Sequence, residues 1–142
     1  MNKKVILISH GKLAAGMEFS VQMIFGKSDD LASFGLMPDG NYLEVVNEVK
    51  QQIMAEPDRQ FIVVADIFGG SVCNGCVQEI SMLPNVKLVA GMNMGLVVSI
   101  MAGPAEMTDA DLETAIEESR QGVKLVEPLK VEGVTDGADD FF

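Results

Sequence analysis

The sequence predicts one α/β domain, with a mainly parallel sheet and helices on both faces. Three observations carry that prediction. Val5–Ile8 and Phe61–Ala65 are unbroken apolar runs of strand length, rich in Val and Ile, as strands covered on both sides are. Segments with apolar residues at helical spacing alternate with such runs. The chain has 142 residues, of which 48% are hydrophobic, which suits one core of ordinary size.

The elements follow in order. The first strand, Val5–Ile8, runs into Ser9 and the only histidine, His10. Leu13, Met17, Val21 and Ile24 then share one face of a first helix. Leu31–Leu36 has the length and composition of a second strand. Leu43, Val46, Val49 and Ile53 repeat the helical spacing, with Glu44, Asn47, Glu48, Lys50 and Gln51 supplying the wet side. Phe61–Ala65 is the third strand, Ser71–Ser81 the third helix, Val86–Ala90 the fourth strand and Asn93–Ala102 the fourth helix. Thr108-Asp-Ala-Asp111 is a capping box that opens a fifth helix through Leu112, Ala115, Ile116 and Ser119. Val123–Val126 is a further strand candidate. Residues 1–127 form the expected domain, and 128–142 an acidic, glycine-containing tail whose Phe141 and Phe142 are candidates to dock on a second subunit. Right-handed crossovers favour a flavodoxin-like order, with the first strand between the second and the third.

Charge and composition exclude several classes. A formal net charge of −11 repels nucleic acid and anionic lipid. It leaves room for one small anion, because backbone dipoles act locally. No apolar run is long enough to cross a bilayer, and the opening residues lack the pattern of a secretory signal, so a cytoplasmic location is expected. Cys73 and Cys76 with His10 make only three soft ligands, so neither a structural zinc site nor a disulfide scaffold is expected. No metal and no cofactor are expected.

The site follows from topology. In an open α/β sheet, ligands sit beyond the carboxyl ends of the strands, where the strand order reverses. The polar residues leaving the first strand are Ser9 and His10, and the one leaving the third is Asp66. A carboxylate that takes the proton of one ring nitrogen fixes the tautomer and leaves the other nitrogen free to attack. Asp66 opens the stretch DIFGGSVCN, in which Gly69, Gly70 and Ser71 stand where a strand hands over to a helix. Glycines admit a close approach, and a helix start offers unpartnered N–H groups to an anion. Gly11 beside His10 also leaves room for an approaching group. A nucleophile, an orienting carboxylate and an anion cradle together describe a histidine that carries a phosphoryl group.

Three stretches, SHGKLAAGM, DIFGGSVCN and AGMNMGLVVSIM, resemble in that order the enzyme IIA component of the mannose-type (mannose, fructose, sorbose) bacterial sugar phosphotransferase system. The resemblance runs from about Lys3 to about Val126, and DLETAIEESRQGVKLV is similar to the family's final helix and strand. It implies that His10 accepts a phosphoryl group from the phosphocarrier protein HPr and passes it to an enzyme IIB, which phosphorylates sugar entering through a membrane permease. It also implies that Asp66 orients His10 through Nδ1, which makes Nε2 the phosphorylated atom. Family members are commonly homodimers and often exchange an antiparallel C-terminal strand. Val72 stands where many members have Pro, and Met94-Gly95 where many have Leu-Pro. Met17, Asn93 and Met94 are the docking candidates, since methionine makes an adaptable contact surface.

Rival readings rest on fewer residues. Cys73-Asn-Gly-Cys76 at a helix start suits a thiol–disulfide oxidoreductase, but the two cysteines also fall on an apolar helix face where cysteine packs as a small core residue. A phospho-aspartate receiver needs an acidic cluster where Ser9-His10 stands. A flavin carrier needs stacking aromatics, and the chain has no Trp and 1 Tyr. A regulatory domain whose phosphorylation is sensed by a partner is the alternative outside catalysis. No DNA-binding or ATPase region accompanies it in these residues.

Overall fold

A computed structural model describes residues 1–129. Its elements are β1 (Lys4–His10), α1 (Leu13–Phe25), β2 (Leu31–Leu36), α2 (Tyr42–Ala55), β3 (Phe61–Ala65), α3 (Ser71–Glu79), β4 (Val86–Ala90), α4 (Met94–Ala102) and α5 (Asp109–Gln121). The four strands lie in the order β2-β1-β3-β4, all parallel. This is the order that the crossover rule favours, with β1 in the interior of the sheet.

Alternation along each strand sorts the core into two layers. Val5, Leu7, Ile62 and Val64 face one side, where α1, α4 and α5 cover them with Val21, Leu96, Val97, Ile100, Leu112 and Ala115. Ile6, Ile8, Phe61, Val63 and Ala65 face the other, under Val46, Val49 and Ile53 of α2 and Val72, Cys73 and Cys76 of α3. β3 is buried at every position, which is why it reads as an unbroken apolar run. The capping box before α5 forms in both directions between Thr108 and Asp111.

Two expectations need correcting. Val123–Val126 does not form a strand: it follows α5 without regular structure, with Val123, Leu125 and Val126 each at least 78% exposed. A strand needs a neighbour to hydrogen-bond, and within the described chain this segment has none. The tail beyond residue 129, with Phe141 and Phe142, lies outside the described residues. On α1, the core-facing side is Ala14 and Val21 with Met17 half-buried, while Leu13 and Ile24 stay exposed. The helix is turned so that Glu18 meets Ser33 of β2, which shifts the apolar stripe toward small Ala14.

One buried hydroxyl couples β1 to α1. Ser9 is fully buried, and its Oγ accepts the N–H of Ala14 at 2.7 Å, across the loop that holds His10. We predict that Ser9→Ala, which leaves that N–H without its acceptor, lowers stability by about 1–2 kcal/mol. Urea unfolding of the two proteins checks this.

Candidate functional site

The sheet brings the ends of β1 and β3 side by side. Ile8 pairs with Ala65, and the Asp66 N–H donates to the Ile8 carbonyl at 3.1 Å, one step past the end of the ladder. The Asp66 carboxylate turns back toward β1. Its Oδ2 accepts both the backbone N–H of His10 at 2.9 Å and the ring Nδ1 at 2.8 Å, and Oδ1 accepts the N–H of Ile67 at 3.0 Å. The Asp66 side chain is 7% exposed and the His10 side chain 48%. The acid is therefore walled in and the imidazole is half open to solvent.

Burial pushes the Asp66 carboxyl up, but the hydrogen bonds from the His10 backbone and ring, the charge of His10 and the N–H of Ile67 outweigh it. The net effect holds the group below its usual 3.8. An ionised carboxylate only accepts, so Nδ1 carries a proton, and in the neutral ring the lone pair is at Nε2.

The turn DIFGGS faces that lone pair. Ser71 Oγ stands 3.4 Å from Nε2. At Gly70, a Cβ would lie 3.3 Å from His10 Cε1 and 2.9 Å from Ile67 Cγ2, so a larger residue would crowd the ring. Gly69 holds φ +83°, a conformation that favours glycine. Helix α3 begins here with no side-chain cap. By contrast, Asn41, Asn93 and Thr108 cap α2, α4 and α5, and Ser9 takes an N–H of α1. The first N–H groups of α3 thus remain available beside Nε2. Gly11, expected to leave room beside His10, holds φ +57° with open space where a Cβ would stand, while its N–H is taken by the Leu36 carbonyl at 2.6 Å.

The docking candidates separate. Met94 is exposed at the start of α4, at the same end of the sheet as His10. Met17 is half-buried against the core. Asn93 is a cap rather than a free surface residue: Oδ1 accepts the Leu96 N–H at 2.9 Å and Nδ2 donates to the Gly91 carbonyl at 3.1 Å. Sequence reasoning missed Leu13, Met37, Ile67 and Phe68, which stay exposed in the loops and first turns around that end. Their signal was available: each follows the end of a strand within a few residues, and Ile67-Phe68 lies between Asp66 and Gly69.

Disulfide exchange is disfavoured. Cys73 and Cys76 are free thiols on the buried face of α3. Burial, with the neighbouring Cys73, pushes the Cys76 thiol up to about 12, far from the thiolate that disulfide exchange needs. A cleft of about 650 Å³ lies at the opposite end of the sheet, and its cations are already paired, Arg59 with Asp30 and Glu56 and Lys87 with Asp109. Among the described residues, no three His, Cys, Asp or Glu side chains gather to hold a metal ion, and no helix is long and apolar enough to cross a membrane.

Residues 4–117 match the EIIA-man family, the fructose IIA component of the phosphotransferase system. The chain belongs to this family. An EIIA-man protein is a IIA component of a sugar phosphotransferase system, and the fold of this chain matches those of solved IIA components. The chain is 22% identical over 107 residues to the sorbose-specific EIIA component of Klebsiella pneumoniae, covering 75% of this chain and 78% of that one. The PTS IIA protein associated with the fucose utilization operon of Streptococcus pneumoniae superposes with a TM-score of 0.78 at 26% identity, over 88% of this chain and 93% of that one. The mannose/sorbose-specific IIA subunit from Enterococcus faecalis shares the fold, with a TM-score of 0.81 at 24% identity over 92% and 99% of the two chains.

The lowered Asp66 value sets a pH dependence. A carboxyl held below its unfolded value stabilises the fold above that value, and the contribution is lost as pH falls through the folded one. Unfolding measured from about pH 7 to about pH 3 should show this loss beginning near the usual carboxylate range, and Asp66→Asn should remove that part of the acid sensitivity.

Proposed function

We propose that this chain is a phosphoryl carrier, in which His10 takes a phosphoryl group from phosphorylated HPr and gives it to an enzyme IIB during sugar uptake. The observation that carries the reading is the Asp66–His10 pair at 2.8 Å, with Nε2 directed at an uncapped helix start. Nε2 attacks phosphorus, the donor's bond to phosphorus breaks, and an Nε2–P bond forms. The proton stays on Nδ1, and Asp66 balances the positive charge that develops on the ring. Ser71 and the first N–H groups of α3 receive the phosphoryl oxygens. Transfer to enzyme IIB reverses these steps.

A half-exposed imidazole suits partners that are proteins, since each must reach the same nitrogen in turn. The exposed Leu13, Met37, Ile67, Phe68 and Met94 supply an apolar surface around it for such contacts. The exposed stretch Val123, Leu125, Val126 and Leu129 supports a homodimer, in which a second copy covers it. The charge of −11 supports a protein that works in the cytoplasm beside a permease rather than on lipid.

With phosphoenolpyruvate, enzyme I and HPr, the wild type should gain about 80 Da, one phosphoryl group, in an acid-labile form. His10→Ala should gain nothing, and a full gain in that variant would overturn the assignment. Asp66→Asn keeps the shape and loses the charge, so transfer should slow by at least about tenfold with the fold intact. Rapid-quench assays of phosphate transfer read this out, and an unchanged rate would leave Asp66 without the orienting role.

A further inference from the structure

The cradle opposite Nε2 rests on two consecutive glycines, the residues least able to hold their own backbone. Gly69 sits at φ +83°, and Gly70 is extended at φ −74° and ψ 166°. Asn74, in the first turn of α3, grips both. Its side-chain Nδ2 donates to the Gly69 carbonyl at 3.1 Å, and its backbone N–H donates to the Gly70 carbonyl at 2.9 Å. Only the nitrogen end of an amide can donate to a carbonyl, so this contact also sets which way the side chain points.

The two asparagines that cap helices, Asn41 and Asn93, act in the opposite sense. Asn41 and Asn93 precede their helices and accept helix N–H groups, from Leu43 at 2.8 Å and from Leu96 at 2.9 Å. They occupy the donors with which a helix start binds an anion. Asn74 stands inside its helix and reaches backward to a carbonyl. It stiffens the turn and caps none of the N–H groups of Ser71, Val72 and Cys73. Its side chain is exposed, whereas its helix neighbours Cys73, Gly75 and Cys76 are buried, so the contact serves the turn rather than the core.

We infer that Asn74 is a positioning residue for phosphoryl transfer, locking the Gly69-Gly70 turn so that the open start of α3 faces His10 Nε2. It acts through the backbone of the turn and makes no hydrogen bond to His10. The inference rests on the phosphoryl-carrier reading of His10. Asn74→Ala frees the Gly69 carbonyl, and Asn74→Asp replaces the donor with an acceptor that repels it.

The test uses potassium phosphoramidate, a chemical donor that needs no partner protein. Its P–N bond breaks, ammonia leaves and an Nε2–P bond forms. In the wild type, His10 should be modified and the Ser71 amide resonance should move on phosphorylation. Asn74→Ala should be modified about threefold to tenfold more slowly, the worth of one hydrogen bond. Its Ser71 resonance should move less, and Asn74→Asp should be slower still. Melting temperatures should stay within about 3 °C of wild type. Equal rates and equal resonance shifts in the wild type and both variants would overturn the role of Asn74. A rate loss matched by an equal loss of folded protein in both variants would assign Asn74 to the fold and overturn it as well. A wild type left unmodified at His10 would instead refute the carrier reading itself.

Discussion

The bifurcated contact of one carboxylate oxygen organises this end of the molecule. Asp66 Oδ2 holds the backbone N–H and the ring Nδ1 of the same histidine. The first bond ties the end of β1 to the loop after β3, and the second sets the ring's orientation and tautomer. A backbone anchor matters because an imidazole on a free loop end would swing about its Cα even with a partner on Nδ1. The parallel register makes the arrangement possible: with Ile8 level with Ala65, the next residues of both strands leave the sheet together. Both strands are buried to their last apolar residue, so the pair stands on a rigid base.

Much of this was legible in the amino-acid order, for identifiable reasons. Val5–Ile8 and Phe61–Ala65 announce themselves because covering both faces of a parallel sheet removes every polar position. The meeting of His10 with Asp66 follows from strand order and needs no side-chain detail. The departures are equally physical. Val123–Val126 has a composition that reads the same whether or not a neighbouring strand exists, and only the pairing makes a strand. Leu13 and Ile24 sit on the predicted stripe of α1, but periodicity gives the spacing of a stripe and not its centre. Asn93 looked like the first residue of a helix and is its cap, a shift of one position that changes a surface side chain into a committed one. Asn74 gave no signal, because its bond to Gly69 depends on a positive φ two glycines away from the helix.

Electrostatics operate here on two length scales. The whole chain, at −11, is inhospitable to anions at a distance. Close to His10 two local sources act: the Asp66 carboxylate on the Nδ1 side, and on the Nε2 side, where Ser71 Oγ stands, the start of α3, whose N–H groups no side chain caps. On the proposed reading, a helix start of this kind supplies the favourable end for phosphoryl oxygens. Cys73 and Cys76 on the buried face of the same helix contribute volume rather than charge, which keeps the layer between it and the sheet apolar.

The half-open state of His10 carries a consequence for timing. Nothing in the described chain closes over the ring, so a phosphoryl group carried there meets water whenever no other protein covers it. On the proposed reading, the fraction lost to hydrolysis depends on how long the carrier waits between encounters, and hence on the abundance of whatever receives the group. Leakage is then governed by the balance of protein concentrations around the carrier as much as by its own barrier. A cell short of acceptor would dissipate phosphoryl groups that a cell with ample acceptor would deliver.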